Sequence, residues 1–147
     1  HDPSKIMVED PQIRVSLMAD VCKPISIGGR EFIPLVRQSL ALKCSLKIIF
    51  LRKEEPGKLI IDGDIDNRIK VLLDSLTVPK DGDQVVKDGE TSPIYCLLED
   101  DSLITGYEIQ THQLLRPNIS KNTAQLIIEV DVKVVQPYKY NLIFLGN

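Results

Sequence analysis

The clearest pattern of apolar and polar positions in this sequence runs over residues 65–76. Side chains three or four residues apart lie on one face of an α-helix, and the apolar residues of this segment recur at that spacing. They are Ile65, Ile69, Leu72, Leu73 and Leu76. Asp64 directly precedes them, and its carboxylate can accept the free amides of a first helical turn as an N-cap. The pattern predicts an amphipathic helix that begins after Asp64.

Four other segments have the composition or alternation of β-strands. Residues 13–19 and 125–135 alternate apolar and polar positions, residues 46–51 form a short apolar run, and residues 103–110 have strand composition. We expect the strands at 103–110 and 125–135 to form an antiparallel pair. Residues 32–42 fit helical spacing loosely and predict a helix that leads into the strand at 46.

Turns and loops separate these elements. Gly28 and Gly29 predict a tight turn, and the charged residues 52–57, which end in Pro-Gly, predict an exposed turn after the strand. Residues 77–94 are rich in glycine, proline and charge, which predicts a long exposed loop.

The chain has 147 residues and 43% hydrophobic content, enough for one ordinary core. We expect a single α+β domain over residues 1–147, with a small mixed or antiparallel sheet and packed helices. Residues 1–11 and 137–147 are expected to be extended tails. The second tail carries aromatic and aliphatic residues that would be costly in solvent, so it should pack on its own core or on a second subunit.

Composition and charge limit the compartment and the partners that we expect for this protein. No apolar stretch approaches the roughly 20 residues that a membrane-spanning helix needs, so we expect no membrane partner. The three cysteines contain no CxxC pair, which predicts free thiols in a reducing cytoplasm. The net charge of −3 gives no general attraction to nucleic acid, so any affinity for DNA must come from a local patch.

Carboxylates are concentrated in two short runs. Asp62, Asp64 and Asp66 alternate at the start of the predicted helix, and Glu99, Asp100 and Asp101 precede a predicted strand. Ionised carboxylates that are brought together repel one another unless a cation compensates their charge. Ligand sets made only of oxygen favour Mg²⁺, Mn²⁺ or Ca²⁺ over zinc.

The first acidic run admits two other interpretations. A solvated acidic cap that complements the helix dipole is common and stays open on composition alone. A calcium-binding EF-hand loop is excluded, because Asn67 stands where that loop needs glycine and Leu73 where it needs a bidentate glutamate.

The segment DIDNRIKVLLDSL resembles the signature of RusA-type Holliday-junction resolvases. In that signature an Asp-x-Asp-Asn sequence opens a helix, a lysine follows four residues after the second aspartate, and an Asp-x-Leu ends the motif. All of those positions are filled here, by Asp64, Asp66, Asn67, Lys70, Asp74 and Leu76. The family's usual N-terminal Pro-Pro-Ser-x-Asn element has no counterpart in this chain.

A second segment, YCLLEDDSLITGYEI at residues 95–109, is similar to the family's paired aspartates and the strand that follows them. This resemblance adds Asp100 and Asp101 to the candidate site. The run GDQVV, which contains Asp83, is a rival for the same motif. We prefer Asp101, because only the later segment has two aspartates, an apolar lead-in and a following strand.

The resemblance implies a Mg²⁺-dependent endodeoxyribonuclease, with Mn²⁺ as an alternative and no organic cofactor. Such an enzyme resolves four-way DNA junctions by symmetric paired incisions and acts as a homodimer. Asp64, Asp66 and Asp101 would bind the metal and carry catalysis, with Asp100 as a further metal ligand. Lys70 would stabilise the transition state or orient the attacking water, as a second catalytic group.

Several alternatives stay open at this stage. Lys70 can instead form an ion pair with Asp66 or Asp74 on the helix surface. The chain can be a non-catalytic RusA-like binder of nucleic acid, or an interaction module whose metal only orders the long loop. Cations that could contact the DNA backbone are Lys43, Lys47, Arg52, Lys53, Lys58 and Arg68.

Overall fold

The computed structural model describes residues 19–53 and 64–145. The strand expected at residues 13–19 lies outside this range except for Ala19, which is helical. Asp62 and Lys58 also lie outside it, and Asp64 is described by its backbone only.

Within these residues the chain forms strands, a long α-helix, a short helical segment at residues 19–21 and 3₁₀ turns. The strands are β1 (Ile25–Ile27), β2 (Arg30–Val36), β3 (Leu42–Arg52), β4 (Ile94–Leu98), β5 (Ile104–Gln113) and β6 (Ala124–Val134). The helix α1 is Asp64–Leu76, and the 3₁₀ turns are Gln38–Leu40, Gly82–Gln84, Asp101–Leu103 and Leu142–Phe144. Helices and strands are mixed along the chain, as the sequence predicted.

The strands form two three-stranded sheets instead of the single sheet that we expected. The first has the order β1-β2-β4 and the second β5-β3-β6. Each sheet is mixed: β1 is antiparallel and β4 parallel to β2, and β6 is antiparallel and β5 parallel to β3. The fold is therefore a small α+β domain with two sheets.

The helix expected over residues 32–42 is wrong. This segment contains most of β2 and a 3₁₀ turn, Gln38–Leu40. Phe32, Pro34 and Val36 are buried while Leu35 between them is exposed, which is the two-residue period of a strand. Pro34 also opposes a helix here, because its ring would clash with the preceding turn.

The antiparallel pair expected between residues 103–110 and 125–135 is also wrong. These segments are β5 and β6, which lie on opposite sides of β3 and pair with it. β3 is the more apolar strand, and every second residue from Leu42 to Phe50 is buried. A central position pairs the backbone of this buried strand on both sides, whereas an edge would leave polar groups unpaired in the core.

The helix predicted over residues 65–76 is confirmed, and its apolar stripe packs on the core. Asp64, expected as the N-cap, is the first helical residue, a difference of one position. Ile69 is buried, and Ile65, Leu72, Leu73 and Leu76 pack against the core partly buried. The core itself joins β2, β3 and β4, and comprises Val36, Leu40, Leu42, Cys44, Leu46, Ile48, Phe50, Leu98 and Leu103. No helix in the described residues is long and apolar enough to cross a membrane.

The long loop and the C-terminal tail are both fixed to the body of the domain. Arg30 of β2 donates hydrogen bonds to Asp88 and, at 3.3 Å, to Glu90 in the loop. In the tail, Asn141 is fully buried and its Nδ2 donates to the Leu40 carbonyl oxygen at 2.7 Å. Tyr140 packs partly buried against the core, so this part of the tail docks on its own chain, one of the two outcomes expected.

Candidate functional site

The polar face of α1 lines a cleft of about 360 Å³. Asp66, Lys70 and Asp74 follow one another at intervals of four residues, so they lie on one face of the helix. The opposite wall of the cleft comes from β5, the acidic turn before it and the long loop. Its full lining is Asp66, Ile69, Lys70, Leu73, Asp74, Lys80, Asp101, Tyr107 and Ile109.

Asp101 reaches the cleft because of the turn that joins β4 to β5. The amide of Glu99 donates to the Val36 carbonyl oxygen at 2.9 Å, which holds the end of β4 beside β2. The 3₁₀ turn Asp101–Leu103 follows, and Leu103 anchors it in the core. Asp101 itself is exposed at the start of this turn. The structure thus brings together Asp66 and Asp101, which are distant in the sequence.

Asp100 has a different position from its neighbour. Its carboxylate caps the 3₁₀ turn by accepting a hydrogen bond from the Ser102 amide at 2.8 Å. Hydrogen bonds from the Ser102 side chain and backbone hold the pKa of this carboxyl below its usual value. Asp100 lines a separate cavity with Gln38 and Lys43. Asp100 is not part of the cleft lining, although its carboxyl lies beside Asp101 and within electrostatic reach of Lys80, which are both part of it.

Lys70 is exposed on the helix face that lines the cleft. Among the ion pairs between described residues, none joins Lys70 to Asp66 or to Asp74. The helix-surface ion pair considered from the sequence is therefore not formed. The Lys70 ammonium is available to an anion that enters the cleft.

Two lining residues were missed by reasoning from the sequence. Tyr107 lies on β5 opposite Leu46 of β3, on the sheet face that packs on the helix, and is 56% exposed. Lys80 comes from the long loop. The alternation of residues 103–110 places Tyr107 and Ile109 on one face, but only the strand order shows that this face adjoins α1.

The donor set of the cleft fits a hard divalent cation. Asp66 and Asp101 offer carboxylate oxygens, and Mg²⁺ in proteins is commonly held by one or two carboxylates together with substrate phosphates and water. The described side chains contain no group of three that could hold a metal by themselves. Of the other ligands that the resemblance implies, Asp64 has no described side chain and Asp100 does not line the cleft.

The charge of the cleft also favours a cation. Its lining carries the three carboxylates of Asp66, Asp74 and Asp101 against the two ammonium groups of Lys70 and Lys80, a formal balance of −1. A phosphodiester would be repelled by that balance. A bound divalent ion would reverse its sign and admit the phosphate.

Asp83, which belongs to the alternative match for the second motif, lies outside the cleft. Asp83 lies in the 3₁₀ turn Gly82–Gln84 of the long loop, where the Asp81 carboxylate caps the turn by accepting from the amides of Asp83 and Gln84. Asp83 is exposed and does not line the cleft. Of the two positions that match the family's second motif, the structure brings Asp101 to the helix.

The candidate DNA-contacting cations that the structure describes, all but Lys58, are not gathered at the cleft. Lys43 and Lys47 lie at odd positions of β3, on the sheet face away from the buried even positions. Arg52 is buried, and Lys53 donates to the Ile119 carbonyl oxygen at 3.1 Å. Arg68 is half-buried on α1. In the part of the chain that is described, the cations that line the cleft are Lys70 and Lys80.

Comparisons with known proteins supply no relative for this chain. No protein-family model, no curated protein and no solved structure matches it. The function has to be argued from the residues of the cleft.

Proposed function

We propose that this protein is a Mg²⁺-dependent endodeoxyribonuclease that cuts four-way DNA junctions, similar to the RusA-type resolvases. The observation that carries the proposal is the meeting of Asp66, Lys70 and Asp101 in one cleft. These residues belong to two separate segments that resemble the family, 64–76 and 95–109. Neither segment alone implies that they are neighbours. Chance matches to a motif would have no reason to converge in space.

The cleft would work as a phosphate site. Asp66 and Asp101, joined by Asp64 at the start of α1, would hold Mg²⁺, or Mn²⁺ in its place. When bound, the metal lowers the pKa of a coordinated water and neutralises charge on the scissile phosphate. Lys70, whose ammonium is not committed to either neighbouring carboxylate, donates from Nζ to a phosphate oxygen.

Paired incisions require two clefts, so the proposal includes a homodimer. The exposed apolar residues of the C-terminal turn offer a contact for a second copy: Leu142 is 48% and Ile143 83% exposed. The described cysteines are all free, which suits the reducing cytoplasm in which we place the enzyme.

A cleavage assay tests the proposal directly. A labelled synthetic four-way junction and a linear duplex of the same sequence are incubated with the protein in Mg²⁺, Mn²⁺ and EDTA. We expect symmetric incision of the junction in either metal, no incision in EDTA and little incision of the duplex. Failure to cut the junction in both metals would contradict the proposal and favour the non-catalytic binder.

A further inference from the structure

A second cavity, of about 630 Å³, adjoins the candidate cleft. The two share the lining residues Asp74, Lys80 and Asp101, so they lie side by side, and together they are called the groove below. The second cavity lies between residues 74–80 and the edge strand β4, where Ile94, Tyr95, Cys96 and Leu97 line it. Its volume is within the range of about 300–1,000 Å³ that accommodates small organic ligands.

The walls of this cavity combine an aromatic ring, apolar surface, the ammonium of Lys80 and the carboxylates of Asp74 and Asp101, so a divalent ion held by the carboxylates would be needed to offset their charge before a phosphate enters. Tyr95 is 77% exposed and lines the cavity. Ile94 beside it is 36% exposed, and the buried Phe32 closes the floor. Lys80 stands where the cavity meets the cleft.

We propose that this cavity receives one unstacked nucleotide of the strand that is cut, next to the phosphate in the cleft. Tyr95 provides the surface on which the base stacks, and Lys80 contacts a phosphate of that nucleotide. Stacking on an aromatic ring tolerates every base, because each base has a π-face. The inference rests on the proposed function for the identity of the strand, but the binding of a single-stranded nucleotide can be measured without cleavage.

The geometry favours a nucleotide over an extended peptide added to the β4 edge. Thr77 already forms a bridge to Leu98, and the Val78 amide donates to the Leu98 carbonyl oxygen at 3.0 Å. One end of that edge is therefore occupied by the protein's own chain. In the remaining space, Lys80 offers a contact for a phosphate next to the cleft, and the exposed Tyr95 offers one for a base.

This groove would also explain a preference for branched DNA. A base within a duplex must be unstacked before it can enter such a cavity, at a cost of a few kcal/mol. A base that is already unpaired or poorly stacked, as at a branch point, avoids most of that cost. Tyr95 would then be a specificity-determining residue, whereas Asp66 and Asp101 act on the phosphate.

The test uses a short single-stranded oligonucleotide with one 2-aminopurine flanked by thymines, titrated with the full chain in Mg²⁺, the condition in which the cleft would admit a phosphate. Wild-type protein and Tyr95→Phe should quench the fluorescence of 2-aminopurine. Tyr95→Leu should weaken binding by about 10-fold or more and lose the quenching, since base stacking on an aromatic side chain is worth about 1–3 kcal/mol. Leu115→Ala, at an apolar residue that is 84% exposed away from the groove, is the matched control and should behave as wild type.

Equal quenching by Tyr95→Leu, or no quenching by the wild type, would overturn the inference. Binding of a valine-rich hexapeptide without any binding of the oligonucleotide would assign the groove to a protein partner and overturn it as well. Thermal unfolding of each variant checks the fold, which an exposed Tyr95 should not perturb. Quenching by the wild type without junction cleavage in Mg²⁺ would refute the proposed function but not the nucleotide groove. If Tyr95→Leu cleaves the junction and prefers it over the linear duplex as strongly as the wild type does, the groove alone is refuted.

Discussion

Two charged regions of this molecule use the same residue types in opposite ways. In the long loop, Asp88 and Glu90 are paired with Arg30, whose side chain is only 10% exposed. In the cleft, no ion pair between described residues joins Asp66 to Lys70, although they are four residues apart on one helix. The loop carboxylates are committed to the fold, and the cleft carboxylates are not.

This difference separates structural charge from charge that is available to a ligand. An ion pair with a largely buried arginine holds a loop in place, and the positive charge of that arginine lowers the attraction of its carboxylates for a metal ion. Carboxylates left together without a partner destabilise a domain slightly, which is the cost expected of a functional site. The contrast predicts that substitutions in the two regions affect different measurements.

The largest expected effect is on catalysis, from removal of either cleft carboxylate. Asp66→Asn and Asp101→Asn each remove a negative charge and almost no volume, so a metal should bind poorly while the fold is kept. We expect junction cleavage to fall by about 10²-fold or more. The free energy of unfolding should change by no more than about 0.5 kcal/mol, because both residues are exposed. Single-turnover cleavage and urea unfolding measure the two quantities.

Asp83→Asn is the matched control for these variants. It removes the same charge from an exposed residue of the loop and belongs to the rival match for the second motif. Cleavage by this variant should equal that of the wild type. A result in which Asp83→Asn is inactive and Asp101→Asn is active would move the site to the loop and abolish the contrast between the two regions.

A smaller catalytic effect is expected from Lys70→Met. This substitution keeps the length of the side chain and removes the ammonium that faces the cleft. We expect the rate of the chemical step to fall by roughly 10²-fold at most, with junction affinity and stability nearly unchanged. Lys133→Met is a suitable control, because Lys133 is also an exposed lysine and lies on β6, away from the cleft. Loss of stability in Lys70→Met alone would indicate that Lys70 serves the fold.

The sequence pattern predicted α1 and its two faces correctly, but it predicted a helix where β2 forms. Residues 65–76 hold enough apolar positions at helical spacing to exclude a strand. In residues 32–42 the spacing of Phe32, Leu35 and Val36 fits a helix as well as a strand, and short apolar runs are ambiguous in this way. Pairing with β4, far along the chain, decided the outcome.

The residues of the candidate site also divide into those that a local pattern predicts and those that depend on long-range pairing. Asp66 and Lys70 were predictable as neighbours, because helical periodicity alone places them on one face. The nearness of Asp101 depends on which strand lies beside β3, and no local pattern contains that information. The resemblance of residues 95–109 to a second motif suggested it, whereas Tyr107 and Lys80 required the strand order and the path of the loop.

On the loop side of the comparison, Arg30→Met should affect stability and leave the cleft carboxylates intact. It removes the partner of Asp88 and Glu90 while keeping most of the apolar contact of the side chain. We expect a loss of about 1 kcal/mol or less in the free energy of unfolding, and faster proteolysis within residues 80–93. Lys87→Met, an exposed charge in the same loop, is the control. Unchanged proteolysis of Arg30→Met would show that the ion pairs do not hold the loop.

The smallest expected effect is a pH dependence of stability that arises from Asp88 in the long loop. The Glu90 amide donates a hydrogen bond to Asp88 and, together with the charge of Arg30, holds the pKa of Asp88 below its ordinary value. Because the folded protein favours the ionised form, this contribution to stability is present above the ordinary aspartate pKa of about 3.9 and is lost as the pH falls through the lowered folded value. Asp88→Asn should therefore be less stable than the wild type at pH 7, and the gap should close in strongly acidic solution. Urea unfolding of both proteins across this range measures the gap, and a gap that stays constant with pH would mean that the ionised Asp88 adds nothing to the fold.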